Sequence, residues 1–340
     1  MNGVKSDADM AAPARGGKRE PIEALIVAGP TCSGKSALAL ALAERLGGSV
    51  INADSMQIYA ELRILTARPS PAEEATVPHL LYGVRPAALP GSAAWWLAQA
   101  KGAIEAVRAS GRLPILCGGT GLYFKALREG LAEVPHPGEA ARRQARALLA
   151  ELGPAGLHAR LAEVDPRTAA ELRPADSQRV ARAWEVWSGT GRGLSDWRAD
   201  ASPRHPRRFA AILLDPDRSV LRAAIARRTA AMLDAGALDE VRALLALGLD
   251  PALPAMRAHG VPELGGFLCG QLSLPEATTR MSLVTGQYTK RQATWFHHHC
   301  LAAKQDSHTI NARFADMQQL SNQESDELDY FIMKLVDADG

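Results

Sequence analysis

The residues best able to do chemistry are concentrated in eight positions, Gly29-Pro30-Thr31-Cys32-Ser33-Gly34-Lys35-Ser36. They fit the pattern G-x-x-x-x-G-K-[ST], in which backbone N–H groups and a helix N-terminus form a concave site for phosphate oxygens. Lys35 is expected to set its ammonium against the outer phosphates, and the Ser36 hydroxyl to be a ligand of the Mg²⁺ that travels with them. The pattern does not separate ATP from another pyrophosphate ester. A second candidate is Asp54, the last residue of Ser49-Val50-Ile51-Asn52-Ala53-Asp54. In an open α/β sheet the ligand crevice lies beyond the carboxyl ends of the strands, which makes Asp54 a candidate base beside the phosphates. It could instead cap a following helix around Ser55 to Tyr59. Arg68, in Thr66-Ala67-Arg68-Pro69, either faces a phosphate or is solvated, and one of Arg227 and Arg228 is expected to point back at the phosphates.

The elements that must position these groups are legible as short apolar runs. Ala24–Ala28 reads as the strand before the loop, and the Ala/Leu-rich stretch ending near Gly47 as the helix after it. Leu113–Cys117 is a further buried strand. It ends in Gly118-Gly119, where a nucleotide hydrolase often carries a carboxylate, and this counts against an ATPase. The two glycines would let a substrate or a backbone approach closely. Ser92 caps a helix carrying Trp95 and Trp96, which we read as core or groove wall rather than a stacking site for bases. Phe209–Asp215 returns to strand after an interruption of different texture, so the core is discontinuous in sequence. We expect an α/β fold, a parallel sheet flanked by helices, built from 22–135 and 207–305, with an all-helical insertion at 136–206. Residues 1–21 read as a disordered tail, and 306–340 as an acidic C-terminal tail, either disordered or with Tyr330 to Val336 as a short docking helix.

Within the insertion, from Glu139 to Arg208, there are thirteen Arg and no Lys against nine acidic residues. Guanidinium forks suit bidentate phosphate and base-edge contacts, so this stretch is the candidate grip on a polynucleotide. The formal net charge of +2 conceals an asymmetry: residues 306–340 hold eight acidic side chains against Arg313 and Lys334, net −6, which leaves +8 on 1–305. A basic body permits a polyanionic partner. The 340 residues, 47% hydrophobic and 22% charged, suit a globular chain with a real core. No apolar leader or membrane-length run occurs. Cys32, Cys117, Cys269 and Cys300 form no C-x-x-C pair, which fits reduced thiols and a cytoplasmic location. His297-His298-His299 is internal, and adjacent side chains diverge, so we assign it no metal role.

Several ordered motifs across roughly residues 22 to 300 resemble the tRNA dimethylallyltransferase (tRNA isopentenyltransferase) family. Besides the phosphate loop, Asp54-Ser55-Met56-Gln57-Ile58-Tyr59 is similar to its D-S-x-x-x-Y segment and Thr66–Pro69 to its T-A-K-P. Gly118–Tyr123 matches G-G-T-x-L-Y, Asp176–Glu185 matches D-x-x-R-x-x-R-A-x-E, and Tyr288–Gln292 resembles Y-A-K-R-Q. Departures occur at Ala258-His259-Gly260-Val261-Pro262-Glu263, where the family usually reads A-I-G-Y-[KR]-E, at Leu65, and at His297 in place of an Arg.

The resemblance implies that Gly29 to Ser36 hold the diphosphate of dimethylallyl diphosphate, with Mg²⁺ through Ser36. The acceptor would be N6 of adenosine 37, flipped out of the anticodon stem-loop of tRNA. It gives Asp54 the role of base, Lys35 and Arg228 the stabilisation of the leaving pyrophosphate, and Thr120 a substrate contact. Contacts to tRNA fall on Asp54, Ser55, Met56, Gln57, Thr120, Arg142, Gln178, Arg179, Val180, Ala181, Arg182, Arg257, His259 and Gly260, and a monomer is expected. Three alternatives compete: an enzyme prenylating free adenine nucleotides, a P-loop small-molecule kinase, and an RNA-binding module without chemistry. The last leaves Asp54 and the loop unexplained, while the first two have less need of an Arg-rich insertion.

Overall fold

The computed structural model describes residues 20–200, 207–317 and 321–336; the expected tail 1–21 lies almost wholly outside them. In chain order the first elements are β1 (Ala24–Ala28), α1 (Lys35–Leu46), β2 (Gly48–Asn52), α2 (Pro71–Thr76), β3 (His79–Leu80) and α3 (Ala93–Ala109). Then come β4 (Leu113–Gly118), α4 (Gly121–Glu129), α5 (Glu139–Val164), α6 (Pro166–Ala170), α7 (Ser177–Thr190) and α8 (Leu194–Ala199). The chain continues with β5 (Phe209–Leu214), α9 (Arg218–Asp234), α10 (Ala237–Ala246), α11 (Val261–Leu268), α12 (Leu274–His298), β6 (Ser307–Ile310) and α13 (Asn322–Val336).

The six strands form one parallel sheet in the order β3-β2-β4-β1-β5-β6. All five residues of β1 are buried, which is why its sequence is an unbroken apolar run rather than an alternating one. Register pairs Ala28 with both Gly118 and Leu213, and Asn52 with Cys117. The chain therefore leaves β1, β2, β4 and β5 at a common edge, carrying the phosphate loop, Asp54, Thr120 and Asp215 there.

Helix α1 buries Leu38, Leu42 and Ala43 against Val27, Ile115 and Ile212. A second cluster joins Ile58, Tyr59, Leu62 and Leu65 to Met232, Val241, Leu264 and Met281 of the later helices. Trp96, as expected, is core: it is fully buried, stacks on Tyr123 at 4.2 Å, and donates its indole N–H to Asn52 O at 2.8 Å.

The acidic tail expected at 306–340 is corrected by the structure. Strand β6 pairs with β5, from Ala211↔Ser307 to Leu214↔Ile310, and α13 buries Leu328, Phe331, Ile332 and Leu335 in the same core as α1. Those four residues recur at i, i+3, i+4 and i+7, an amphipathic stripe that the net charge of the segment conceals.

The chain divides into two compact units, Met1–Lys125 with Arg207–Gly340, and Ala126–Pro206. The second begins before residue 136; the Pro-rich stretch around Pro135 and Pro137 that suggested a later boundary lies inside it. Its own core joins Leu157 and Leu161 of α5 to Val180, Ala183 and Trp184 of α7. Helix α5 is broken at Gly153 (φ 68°, ψ 176°), immediately before Pro154.

Candidate active site

Between β1 and α1 the loop alternates hand. Cys32 (φ 68°) and Gly34 (φ 94°) are left-handed, the conformation that turns successive amides toward one concavity. Gly29 has no room for a side chain, since a Cβ there would lie 2.7 Å from Ser33 Oγ and 2.8 Å from Leu214 O. Lys35 is buried, with Nζ 3.4 Å from Pro30 O. Burial pulls its pKa below the ordinary lysine range, and the neighbouring Asp54 carboxylate opposes that shift. Ser36 is exposed on the first turn of α1, with its hydroxyl beside the Cys117 thiol. From there the hydroxyl can meet an ion carried in by a diphosphate, the way Mg²⁺ is commonly bound. Among the described residues there is no cluster of three or more His, Cys, Asp or Glu that could hold a metal by itself.

Asp54 is fixed by Asn52. Its N–H donates to Asn52 Oδ1 at 2.8 Å, and Asn52 Nδ2 donates to Asp54 O at 3.1 Å. The helix expected around Ser55 to Tyr59 is corrected to a turn, and Asp54 Oδ1 caps it by accepting from Met56 N at 2.9 Å. Its Oδ2 has no hydrogen-bond partner among the described residues, so the capping and base roles use different oxygens. Thr120 Oγ1 accepts from Ser55 N at 2.9 Å and thereby anchors the segment after Asp54.

Helix α12 supplies two groups that motif reading left without a role. Gln292 Oε1 accepts from Thr31 N at 2.8 Å and Thr31 Oγ1 at 2.9 Å, while its Nε2 donates to Gly119 O at 2.9 Å. One buried amide thus ties the phosphate loop to the end of β4. Tyr288, one turn earlier, lines the cavity, and burial together with the Asp54 charge pushes its phenol up to about 12. The i, i+4 spacing of Tyr288 and Gln292 was the available signal. Gly118, the last residue of β4, and Gly119 after it allow close approach as expected. A Cβ at Gly118 would strike Ala53 O, and one at Gly119 would strike Gln292 Nε2.

The cavity itself is walled by the phosphate loop at Thr31 and Cys32, by Asp54, and by Arg228, His259 and Tyr288. Arg228 is the inward member of its pair and donates to Thr66 O at 3.3 Å; Arg227 is exposed. Arg68 does not face a phosphate: its guanidinium donates to Tyr59 O at 3.3 Å and Ala60 O at 3.1 Å, bracing the loop. Glu240, which no motif flagged, accepts from the amides of Arg63, Ile64 and Leu65 at 2.7 to 2.9 Å and holds the same loop from α10. His259 meets the Tyr288 ring edge-on at 5.0 Å, and burial keeps its imidazole below the ordinary value. Gly260 (φ 99°) abuts Leu65, so the two unusual residues Leu65 and His259 flank one tight turn.

Of the other residues expected to meet RNA, Met56 lines the cavity, Ser55 rests on Thr120, and Gln57 spends its amide nitrogen on Thr66 O and Ala67 O at 2.9 and 3.0 Å. Arg257 is exposed. In the helical unit Gln178 and Arg179 are exposed, and Arg142 and Arg182 are half-buried. Val180 is corrected: it is fully buried in the core of that unit, because α7 turns this position inward between the two arginines. Ala181 is half-buried beside it.

A phosphate loop at the end of a central strand, a carboxylate at the end of β2, and glycines where a hydrolase keeps its second acid define an enzyme of the P-loop fold that transfers a group. The family described as IPP transferase matches residues 57–299, and that described as isopentenyl transferase matches 22–80. A Granulibacter bethesdensis protein named tRNA dimethylallyltransferase is 63% identical over 310 residues, 91% of this chain and 97% of its own. A protein of the same name from Gluconobacter oxydans is 57% identical over 316 residues, 93% and 95% of the two chains. The full-length tRNA isopentenylpyrophosphate transferase of Bacillus halodurans superposes with a TM-score of 0.65 at 30% identity, covering 93% of this chain and 98% of that one. A eukaryotic dimethylallyltransferase acting on tRNA gives 0.76 at 25% identity, with 92% and 79% covered. The chain belongs to the tRNA dimethylallyltransferase family.

Proposed function

We propose that this protein transfers a dimethylallyl group from dimethylallyl diphosphate to N6 of adenosine 37, beside the anticodon of tRNA, and releases pyrophosphate. The observation that carries the reading is one cavity in which Asp54, with Oδ2 unengaged, shares its walls with the phosphate loop and Arg228. The bond from C1 of the donor to the diphosphate oxygen breaks as N6 bonds to C1. The N6 proton passes to Asp54, and the electron pair leaves on the diphosphate. An exocyclic amine is a weak nucleophile in the plane of its ring, so a carboxylate within hydrogen-bond reach has to take the proton.

The loop Gly29 to Ser36 would hold the diphosphate through the amides it does not spend internally, Thr31 N–H being bonded to Gln292 and Ser33 N–H to Pro30, with Lys35 and Arg228 offsetting the charge that builds on it. Ser36 is suited to hold Mg²⁺, which would supply further neutralisation of the leaving group. Thr120 and the Ser55–Gln57 segment would border the flipped adenosine.

On the helical unit, Arg142, Arg179 and Arg182 sit 2.8, 3.4 and 3.1 Å from Glu139, Asp176 and Glu185, one helical turn away. Such surface pairs are worth about 0 to 1 kcal/mol, so the arginines can exchange them for RNA phosphates at little cost. Arg257, His259 and Gly260 are further candidates for contact with the anticodon loop. A monomer in the cytoplasm belongs to the same proposal; the four cysteines are free, and no described helix is long and apolar enough to cross a membrane.

Asp54→Asn tests the assignment, because an Asn can still accept from Met56 N but cannot take the proton. Turnover is expected to fall by roughly 10² to 10⁴ with tRNA affinity kept. Unchanged turnover would remove Asp54 from its role.

A further inference from the structure

We propose that Arg313 is a positioning residue of the diphosphate site, and that residues 307–317, the stretch that begins with β6, form a clasp on the outside of the phosphate loop. The inference rests on the reading of that loop given above.

Three consecutive loop residues meet this segment. Arg313 Nε donates to Cys32 O at 3.1 Å, Phe314 N donates to Ser33 O at 2.9 Å, and any Cβ at Gly34 would collide with the Phe314 carbonyl. In a trans peptide the C=O and the following N–H point in opposite directions. Drawing Ser33 O outward therefore turns the Gly34 N–H inward, toward the concavity. Drawing Cys32 O outward turns the Ser33 N–H back to Pro30 O, at 3.1 Å, and closes the tight turn on which the loop is built.

Cys32 needs such support, since it holds φ 68° without being glycine. The clasp is itself firmly rooted. Phe314 is buried among α1 and α13, β6 lies in the sheet, and Arg45 at the far end of α1 pairs with Asp329 of α13.

The test is binding of inorganic pyrophosphate with Mg²⁺, by calorimetry, to the wild-type chain and to Arg313→Ala, Arg313→Met and Arg45→Ala. Loss of one positioning hydrogen bond is expected to weaken pyrophosphate about five- to tenfold in both Arg313 variants. Arg45→Ala loosens the clasp away from the loop and is expected to bind as wild type. In steady-state assays the KM for the prenyl donor should rise by a similar factor while the KM for tRNA stays put. If Arg313→Ala fails to fold, Arg313→Met, which keeps the side-chain stem but has no donor, carries the same expectation. Wild-type affinity in the Arg313 variants overturns the clasp alone, and so does an equal loss in Arg45→Ala. A wild-type chain that does not bind pyrophosphate overturns the clasp and the loop assignment together.

Discussion

Asp54 engages one carboxylate oxygen in capping its turn and leaves the other unengaged among the described residues, a division that lets one residue be both the turn cap and the proposed base. Its neighbours share the work in the same way. Arg228 donates to Thr66 O and also walls the cavity. Arg228→Ala is therefore expected to lower kcat by about 10² to 10³ with tRNA affinity unchanged, the range for removing a charge-stabilising donor. An effect confined to RNA affinity, in filter-binding and single-turnover assays, would contradict it. Gln292 acts through position alone. Gln292→Ala strands the part-buried Thr31 amide and the buried Gly119 carbonyl, and should cost about 1 to 3 kcal/mol of stability in urea unfolding. At this scale the sequence was informative where chemistry dictates residue type. Lys35, Ser36, Asp54, Gly118 and Gly119 announce themselves by spacing. Gln292 and Glu240 do not, because their roles are to bond backbone groups 261 and about 176 positions away, and nothing local marks such a partner.

Among the elements, α7 and α13 make opposite cases. Helix α7 presents Gln178, Arg179 and Arg182 and buries Val180, Ala183 and Trp184, so its arginines were legible while the inward turn at Val180 needed the fold. Arg179→Ala with Arg182→Ala should weaken tRNA binding and lower the slope of log affinity against log salt by roughly 0.7 to 0.9 for each phosphate no longer neutralised. An unchanged slope would remove α7 from the RNA grip. Helix α13 was half hidden by its charge: Tyr330 to Val336 reads equally as a short docking helix or as part of a disordered acidic tail until Leu328, Phe331, Ile332 and Leu335 are taken as one face. Leu328→Ala should cost about 2 to 5 kcal/mol in denaturant unfolding, as buried leucines do. A cost near zero would return the segment to the status of a tail. The strands of the central sheet were legible because β1, β4 and β5 are buried apolar runs. Strands β3 and β6 were not, since two and four residues at the sheet margins carry too little pattern.

For the whole molecule, the discontinuous chain matters more than the phosphate loop alone. Residues from both sides of the helical unit build the cavity, with Asp54 before it and Arg228, His259 and Tyr288 after it. Two histidines couple this assembly to pH. Burial lowers the imidazole of His259, and that of His308 stacked on Phe331, below the ordinary value of 6.5. Between the folded pKa and 6.5 the unfolded chain binds more protons than the folded one, so stability rises with pH across that window. Stability should accordingly decline as pH falls from about 7 toward 5, with a shallower decline in His308→Asn; thermal unfolding at a series of pH values reads this out, and equal slopes for the two proteins would count against it. The most direct measurement of the central claim is incubation of the purified chain with labelled dimethylallyl diphosphate, Mg²⁺ and unmodified tRNA, without ATP, followed by nucleoside analysis. The account predicts label on N6 of the adenosine beside the anticodon and release of pyrophosphate. Consumption of ATP with the prenyl donor left intact would contradict it.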